Sequence, residues 1–274
     1  PNDTGATGDL PPLPIDSFVQ RRKLAELVGN LQFVAPALHA GSTFLRAFYD
    51  ALHGLDLEPS ERPGTNYNAK VPLPNGFWQD FDSYKRILRE HTGRRVLRGD
   101  WLSIVRAWTD ASSAGAGVSI LHNDEQGRPL TQLQFLAGVW PRHLALNSSN
   151  WRELRTILFT LQQAHDVQEL TGERRLDGTV LYVFTDNAVS AAAINRGTSS
   201  SPSLLRLVKG LREYETNLGC HVVAVWVPGT AIIDQGTDGL SRGAVDEGAF
   251  AADSPDPLAF SPIDTGCPTP EQPF

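Results

Sequence analysis

Four acidic residues in this chain are each placed where a carboxylate could work. Asp110 closes the apolar run WLSIVRAWTDAS (residues 101–112): Leu102, Ile104, Val105, Ala107 and Trp108 lead to Thr109-Asp110, and small residues follow. The pattern returns in TVLYVFTDN, where an apolar strand ends at Thr185-Asp186. Glu153 sits in the first turn of the amphipathic helix opened by Asn150-Trp151-Arg152, and Asp238 lies in Thr237-Asp238-Gly239-Leu240-Ser241-Arg242. Carboxylates are hard oxygen donors, suited to Mg2+ or Mn2+. Two such ions neutralise the attacking and leaving oxygens of a phosphodiester under hydrolysis. On this reading Asp110 bridges two ions, Glu153 and Asp186 complete the shell of one, and Asp238 holds the other. The small residues after Asp110 leave room for a substrate backbone. Taken singly, each acid has a plainer explanation as a turn residue, a first-turn acid favoured by the helix dipole, or a helix cap. The set of four, in this order, is what points to metal chemistry.

The elements that must carry them follow from hydrophobic periodicity. Strands are expected over 102–109, 117–121 and 133–139, with a turn at Asn123–Arg128, which reads as an antiparallel meander. A helix is expected over 150–166, with Leu154, Ile157, Leu158, Leu161 and Ala164 as its buried face. A strand over 180–184, a short helix over 188–195 stopped by Gly197, a helix over 203–217 and a strand over 221–227 come next. Residues 228–235 read as a loop, with the last helix starting near Gly236.

Upstream, 16–52 reads as one or two helices. Phe18, Leu24, Leu27, Val28, Leu31, Phe33 and Val34 form a core-facing stripe that resumes at Phe44, Leu45, Phe48 and Tyr49. A polar connection spans 54–76. Residues 77–99 follow, with Trp78, Phe81, Tyr84, Ile87 and Leu88 on one face and Lys85, Arg86, Arg89, Arg94, Arg95 and Arg98 as a basic cluster. That cluster is either a solvated face or a set of phosphate contacts. Ser112 and Asn187, each close to an acid, are further candidate nucleic-acid contacts.

Composition narrows the class. The chain has 274 residues, 41% hydrophobic and 20% charged, and a net charge of −7, which argues against a surface that grips nucleic acid by charge alone. No apolar run approaches the roughly 20 residues of a membrane span, and no signal-peptide core is present. Cys220 and Cys267 lie far apart without ligand spacing, so an intracellular setting, cytoplasmic or nuclear, is expected. With no methionine at all, the sequence reads as a segment of a longer polyprotein. The Gly/Pro-rich residues 1–15 and the Pro/Asp-rich residues 247–274 are expected to be disordered.

Three antiparallel strands, a helix, a strand, two helices, a strand and a final helix make an order that resembles the RNase H fold over Trp101–Ala244. The expected class is therefore α/β: a five-stranded mixed sheet flanked by helices over 100–246, preceded by a helical extension over 16–99. Asn-Trp-Arg-Glu-Leu (150–154), Trp-Val-Pro-Gly (226–229) and Thr-Asp-Gly-Leu-Ser-Arg (237–242) resemble the RNase H domain of retroelement reverse transcriptases, most closely the DIRS-like type. LAELVGNLQFVAPALHAGSTFLRAFYDAL (24–52) is similar to the thumb or connection segment of those elements. With no Tyr-x-Asp-Asp-like motif present, the polymerase palm would lie upstream of residue 1. The resemblance implies a two-metal endoribonuclease acting on RNA–DNA hybrids, with RNA read through its 2′-hydroxyls.

Two departures stand beside this resemblance. The loop before the last helix, 227–234, has no histidine, whereas type 1 RNases H commonly carry one there, and His221 lies too far back to replace it. No basic protrusion lies between Asn195 and Ser203. A catalytically silent scaffold of the same fold is one alternative, disfavoured because all four acids are kept. A transposase or integrase is another, disfavoured because Glu153 falls between the two strand aspartates. Of the neighbouring acids Asp234 and Asp238, the second is favoured as the fourth ligand, since Arg242 four residues on shares its helical face. Asp234 is expected in a turn.

Overall fold

The computed structural model describes residues 18–90 (39 and 56 excepted), 103–123, 129–172 and 176–244. Arg94, Arg95 and Arg98, the lead-in 1–15, the centre of the 123–128 turn and the tail 247–274 lie outside the described residues. The chain divides into two compact units, Pro1–Val96 and Leu97–Phe274.

In the first unit, strand β1 (Phe18–Gln20) pairs antiparallel with β2 (Lys70–Pro72). Helices α1 (Arg21–Val34), α2 (Arg46–His53) and α3 (Asn75–Glu90) pack around an aromatic core. Leu24, Val28 and Leu31 recur at helical spacing and point inward, as do Phe44, Phe48, Phe77 and Tyr84. Two members of the expected core stripe do not. Phe33 falls two residues past Leu31, about 200° round the helix, and is 87% exposed; Phe18 lies in β1 and is 58% exposed. The β1–β2 pair itself was not expected, because three-residue strands carry too little periodicity to be read.

The second unit is built on a sheet in the order β5-β4-β3-β6-β7. β3 (Ser103–Ala111), β4 (Gly115–Asn123) and β5 (Pro129–Val139) are antiparallel neighbours. β6 (Thr179–Thr185) joins parallel to β3, and β7 (His221–Trp226) parallel to β6. This is the mixed five-stranded sheet of an RNase H-like fold.

A single-turn helix, α4 (Arg142–Ala145), follows β5 and leads to α5 (Ser149–Thr171), which starts at Ser148, whose Oγ accepts from the Trp151 amide. α6 (Ala188–Arg196) and α7 (Pro202–Leu218) complete the long helices. Leu154, Ile157 and Leu161 of α5 are fully buried in one core with Val118, Leu181, Ile194 and Leu211.

The span 228–235 departs from expectation: it is a helix, α8 (Gly229–Gln235), so Asp234 lies within a helix and not a turn. Gly236, at φ +97, then breaks the path, and α9 (Thr237–Ser241) begins in a new direction. A residue with a Cβ adopts that conformation only with strain, so this glycine makes two short helices where the sequence suggested a loop and one longer helix.

Alternation along β4 assigns the two faces of the sheet. Ala116, Val118 and Ile120 join the core beneath α5, while Gly117 and Ser119 meet α9. A Cβ on Gly117 would stand 2.6 Å from the Thr237 carbonyl oxygen and 2.7 Å from the Ser241 amide. Only glycine lets α9 lie this close to the strand.

Candidate metal centre

Strand register brings the first two acids together. Trp108 on β3 is level with Phe184 on β6, and their rings stack at 4.8 Å. Two residues further on, each strand presents its acid on that same face, Asp110 on β3 and Asp186 just past the end of β6. Glu153, one turn into α5, reaches the same point, and its Oε1 accepts from the Ala111 amide at 3.2 Å. One carboxylate oxygen from each of Asp110, Glu153 and Asp186 lies within 4.8 Å of the other two.

Burial makes this cluster costly. Asp110 is 7% and Glu153 5% exposed, and Asp110 Oδ2 and Glu153 Oε2 are buried without a hydrogen-bond partner. A buried, unpartnered carboxylate oxygen is strongly disfavoured unless something compensates it. Burial pushes the Asp110 carboxyl up to about 6, helped by the charges of Asp238 and Asp186 and opposed by a hydrogen bond from Ser241 and by Arg242. Burial, followed by the neighbouring charges of Asp110 and Asp186, likewise pushes Glu153 up to about 9. An oxygen-only donor set with two bare buried oxygens fits a hard divalent cation.

The fourth acid, Asp238, stands on α9 in the field of Asp110 but outside the converging trio. Its carboxylate pairs with the Arg242 guanidinium, the i,i+4 contact expected from the sequence. Asp234 is exposed on α8.

The candidate nucleic-acid contacts are placed as follows. Ser112 Oγ donates to the Ser241 carbonyl at 2.6 Å and accepts from the Ala114 and Gly115 amides, so this hydroxyl fastens α9 to the β3–β4 turn. Asn187 Oδ1 caps α6 by accepting from the Ser190 amide, and its Nδ2 donates to Asn150 Oδ1 at 2.9 Å. Both side chains therefore brace the site from within. Lys85, Arg86 and Arg89 lie on α3, where Lys85 pairs with Asp82 at 2.6 Å and rides over the Phe81 ring. His221 begins β7, at the opposite end of that strand from the acids, with Nδ1 3.4 Å from Glu215 Oε1.

No protein-family model matches this sequence, and no curated protein matches it. Among solved structures, it is similar to RNase H1 from the halophilic archaeon Halobacterium salinarum: 18% identity, TM-score 0.37, covering 52% of this chain and 98% of that one. It is also similar to LC11-RNase H1 in complex with an RNA/DNA hybrid, at 17% identity and TM-score 0.37, over 52% of this chain and 96% of that one. A third likeness is to the foamy viral protease-reverse transcriptase in complex with an RNA/DNA hybrid, at 12% identity and TM-score 0.28 over 77% of this chain and 26% of that one. Among the described residues, no helix is long and apolar enough to cross a membrane.

Several residues that shape the site escaped the sequence reading. Trp226 is 56% exposed, yet its indole Nε1 donates to the Asp186 carbonyl at 3.0 Å and steadies the end of β6. Gly229 lies against Asp186, and a Cβ there would come 3.1 Å from its Oδ2. Ser119, Gln235 and Thr237 form a polar cluster that anchors the α8–α9 junction to β4, with Gln235 Nε2 donating to Ser119 Oγ at 2.6 Å. Gly115 and Gly117, two glycines inside a strand pattern, were the available signal of a close backbone approach.

Proposed function

We propose that the second unit is a divalent-metal-dependent ribonuclease that cleaves the RNA strand of RNA–DNA hybrids, within the reverse transcriptase polyprotein of a DIRS-like retroelement. The observation that carries this reading is the convergence of Asp110, Glu153 and Asp186 within 4.8 Å, with two buried oxygens unpartnered. The choice of hybrid substrate and of element type rests on the resemblance of the 150–154, 226–229 and 237–242 segments.

Asp110, Glu153 and Asp186 would hold Mg2+ or Mn2+, with Asp238 as the fourth ligand for a second ion. Bound cations supply neutralisation of the attacking and leaving oxygens of the phosphodiester. The protein's own groups do the positioning. The Ala111 amide holds one oxygen of Glu153, and the other stays buried without a hydrogen-bond partner. The Trp226 indole fixes the backbone at Asp186. The pair Asn150–Asn187 ties the first turn of α5 to the start of α6, and so sets the spacing between Glu153 and Asp186. The upstream unit, following a polymerase palm outside this sequence, would contribute substrate affinity through its basic face.

The test is cleavage of a labelled RNA–DNA hybrid by the full chain, beside RNA–RNA and DNA–DNA duplexes. Hybrid cleavage is expected with Mg2+ or Mn2+ and is stopped by EDTA. Asp110→Asn should lower the rate about 1,000-fold, equivalent to about 4 kcal/mol of barrier, with an unchanged circular dichroism spectrum. Asp234→Asn should stay within a few-fold of the parent. Parental cleavage by folded Asp110→Asn overturns the reading.

A further inference from the structure

Asp238 is held in a direct ion pair with an arginine on its own helical face. The Arg242 guanidinium pairs with its Oδ2 and lies 3.4 Å from its backbone carbonyl oxygen. This pair reaches solvent, with side-chain exposures of 26% for Asp238 and 56% for Arg242. The Arg242 charge also acts on Asp110, opposing the rise of its carboxyl. A cation approaching Asp238 therefore meets a carboxylate already neutralised, beside a fixed positive charge. Asp110 and Glu153, by contrast, each keep a buried carboxylate oxygen without a hydrogen-bond partner.

We propose that Arg242 is a positioning residue that holds Asp238 in reserve, so that a second divalent cation binds only by displacing the guanidinium. The inference rests on the metal-centre reading above. It makes occupancy sequential: the first ion is taken by Asp110, Glu153 and Asp186, and the second binds more weakly because it must break an ion pair. The fold sets this up through α9, whose approach over Gly117 brings Asp238 and Arg242 to the rim of the cluster together.

The experiment is Mn2+ titration of the full chain, followed by the electron paramagnetic resonance signal of free Mn2+, for the parent, Arg242→Gln, Arg242→Ser and Arg242→Lys. Arg196→Gln, which removes a charge from the last turn of α6, controls for net charge. The parent should bind one ion tightly and one weakly. Both neutralising variants should tighten the weak site about fivefold, the affinity equivalent of an exposed ion pair of about 1 kcal/mol. Arg242→Lys should stay near the parent, and Arg196→Gln should match it. The metal-free melting temperature, which a purely structural role would lower, should move little. A weak site that is unchanged or loosened by both neutralising variants overturns the proposal, as does equal tightening in Arg196→Gln. Those results leave the metal centre standing. A parent that binds no Mn2+ overturns the metal centre itself, and this inference with it.

Discussion

The buried charged groups of the first unit and the acids beside β3 in the second are satisfied to different degrees. In the first, Arg21 is 6% exposed, and its guanidinium donates to the Leu52 and Gly64 carbonyls while stacking on Tyr67. Asp80 accepts from the Ala47 amide, and the Tyr84 hydroxyl donates to the Leu31 carbonyl. These bonds tie distant segments together, as polar groups in a structural core do. In the second unit, Asp110 and Glu153 are as deeply buried, but each keeps an oxygen without a partner. The difference separates buried charges that close their own fold from a pair of carboxyl groups that each leave an oxygen open to something outside the chain. Proteins tolerate such local cost where function requires it.

The sharpest way to break this contrast is Glu153→Gln. Cleavage should fall about 1,000-fold or more, while the metal-free protein becomes more stable at pH 8 by on the order of a few kcal/mol. The sign follows from the raised carboxyls. The folded protein holds protons on Glu153 up to about pH 9 and on Asp110 up to about pH 6, whereas the unfolded chain releases them at ordinary carboxylate values. Between those limits the folded state binds more protons, so stability falls as pH rises. Melting temperature without metal should therefore be highest near pH 5 and decline toward pH 9. Glu153→Gln should flatten that decline, and saturating Mg2+ should reverse it. A parent whose metal-free stability rises from pH 5 to 9 contradicts the contrast.

The counterpart in the first unit is Phe48→Ala. Phe48 is fully buried, with ring contacts to Phe77 at 4.7 Å, Phe81 at 6.3 Å and Tyr84 at 6.4 Å. Truncation should cost about 3–5 kcal/mol, read as lost hydrogen-exchange protection in α1–α3. Mn2+ affinity of the second unit should not change. A smaller effect is expected on substrate binding from neutralising Lys85, Arg86 and Arg89 together. If they contact phosphates, the slope of log affinity against log salt should drop by about 2–3. An unchanged slope assigns that face to solvent.

How much of this was legible in sequence differs by element. β3 and β6 carry Thr-Asp after largely apolar runs, and α5 repeats its buried face from Leu154 to Leu161, so periodicity located Asp110, Asp186 and Glu153 on these elements. The end of the chain was harder. α8 and α9 are seven and five residues long, too short for a hydrophobic period to declare itself. Their junction depends on one glycine at positive φ and on a polar cluster drawn from β4.

Sequence alone therefore determined the five strands and the longer helices of the second unit and which of them carry the candidate acids, because both are written in local pattern: alternation, helical spacing and a carboxylate at a strand end. Tertiary structure decided which acids converge and which are answered from within the chain. Ser112 turns inward to hold Ser241, Asn187 is taken up by Ser190 and Asn150, and Asp238 is met by Arg242, while Asp110 and Glu153 each keep one oxygen without a partner. The physical reason is that hydrogen-bond satisfaction is a property of neighbours far apart in the chain. Glu153 and Ala111 are separated by 42 residues, Ser112 and Ser241 by 129. No local pattern encodes such a pairing; it exists only once the sheet has brought the strands into register.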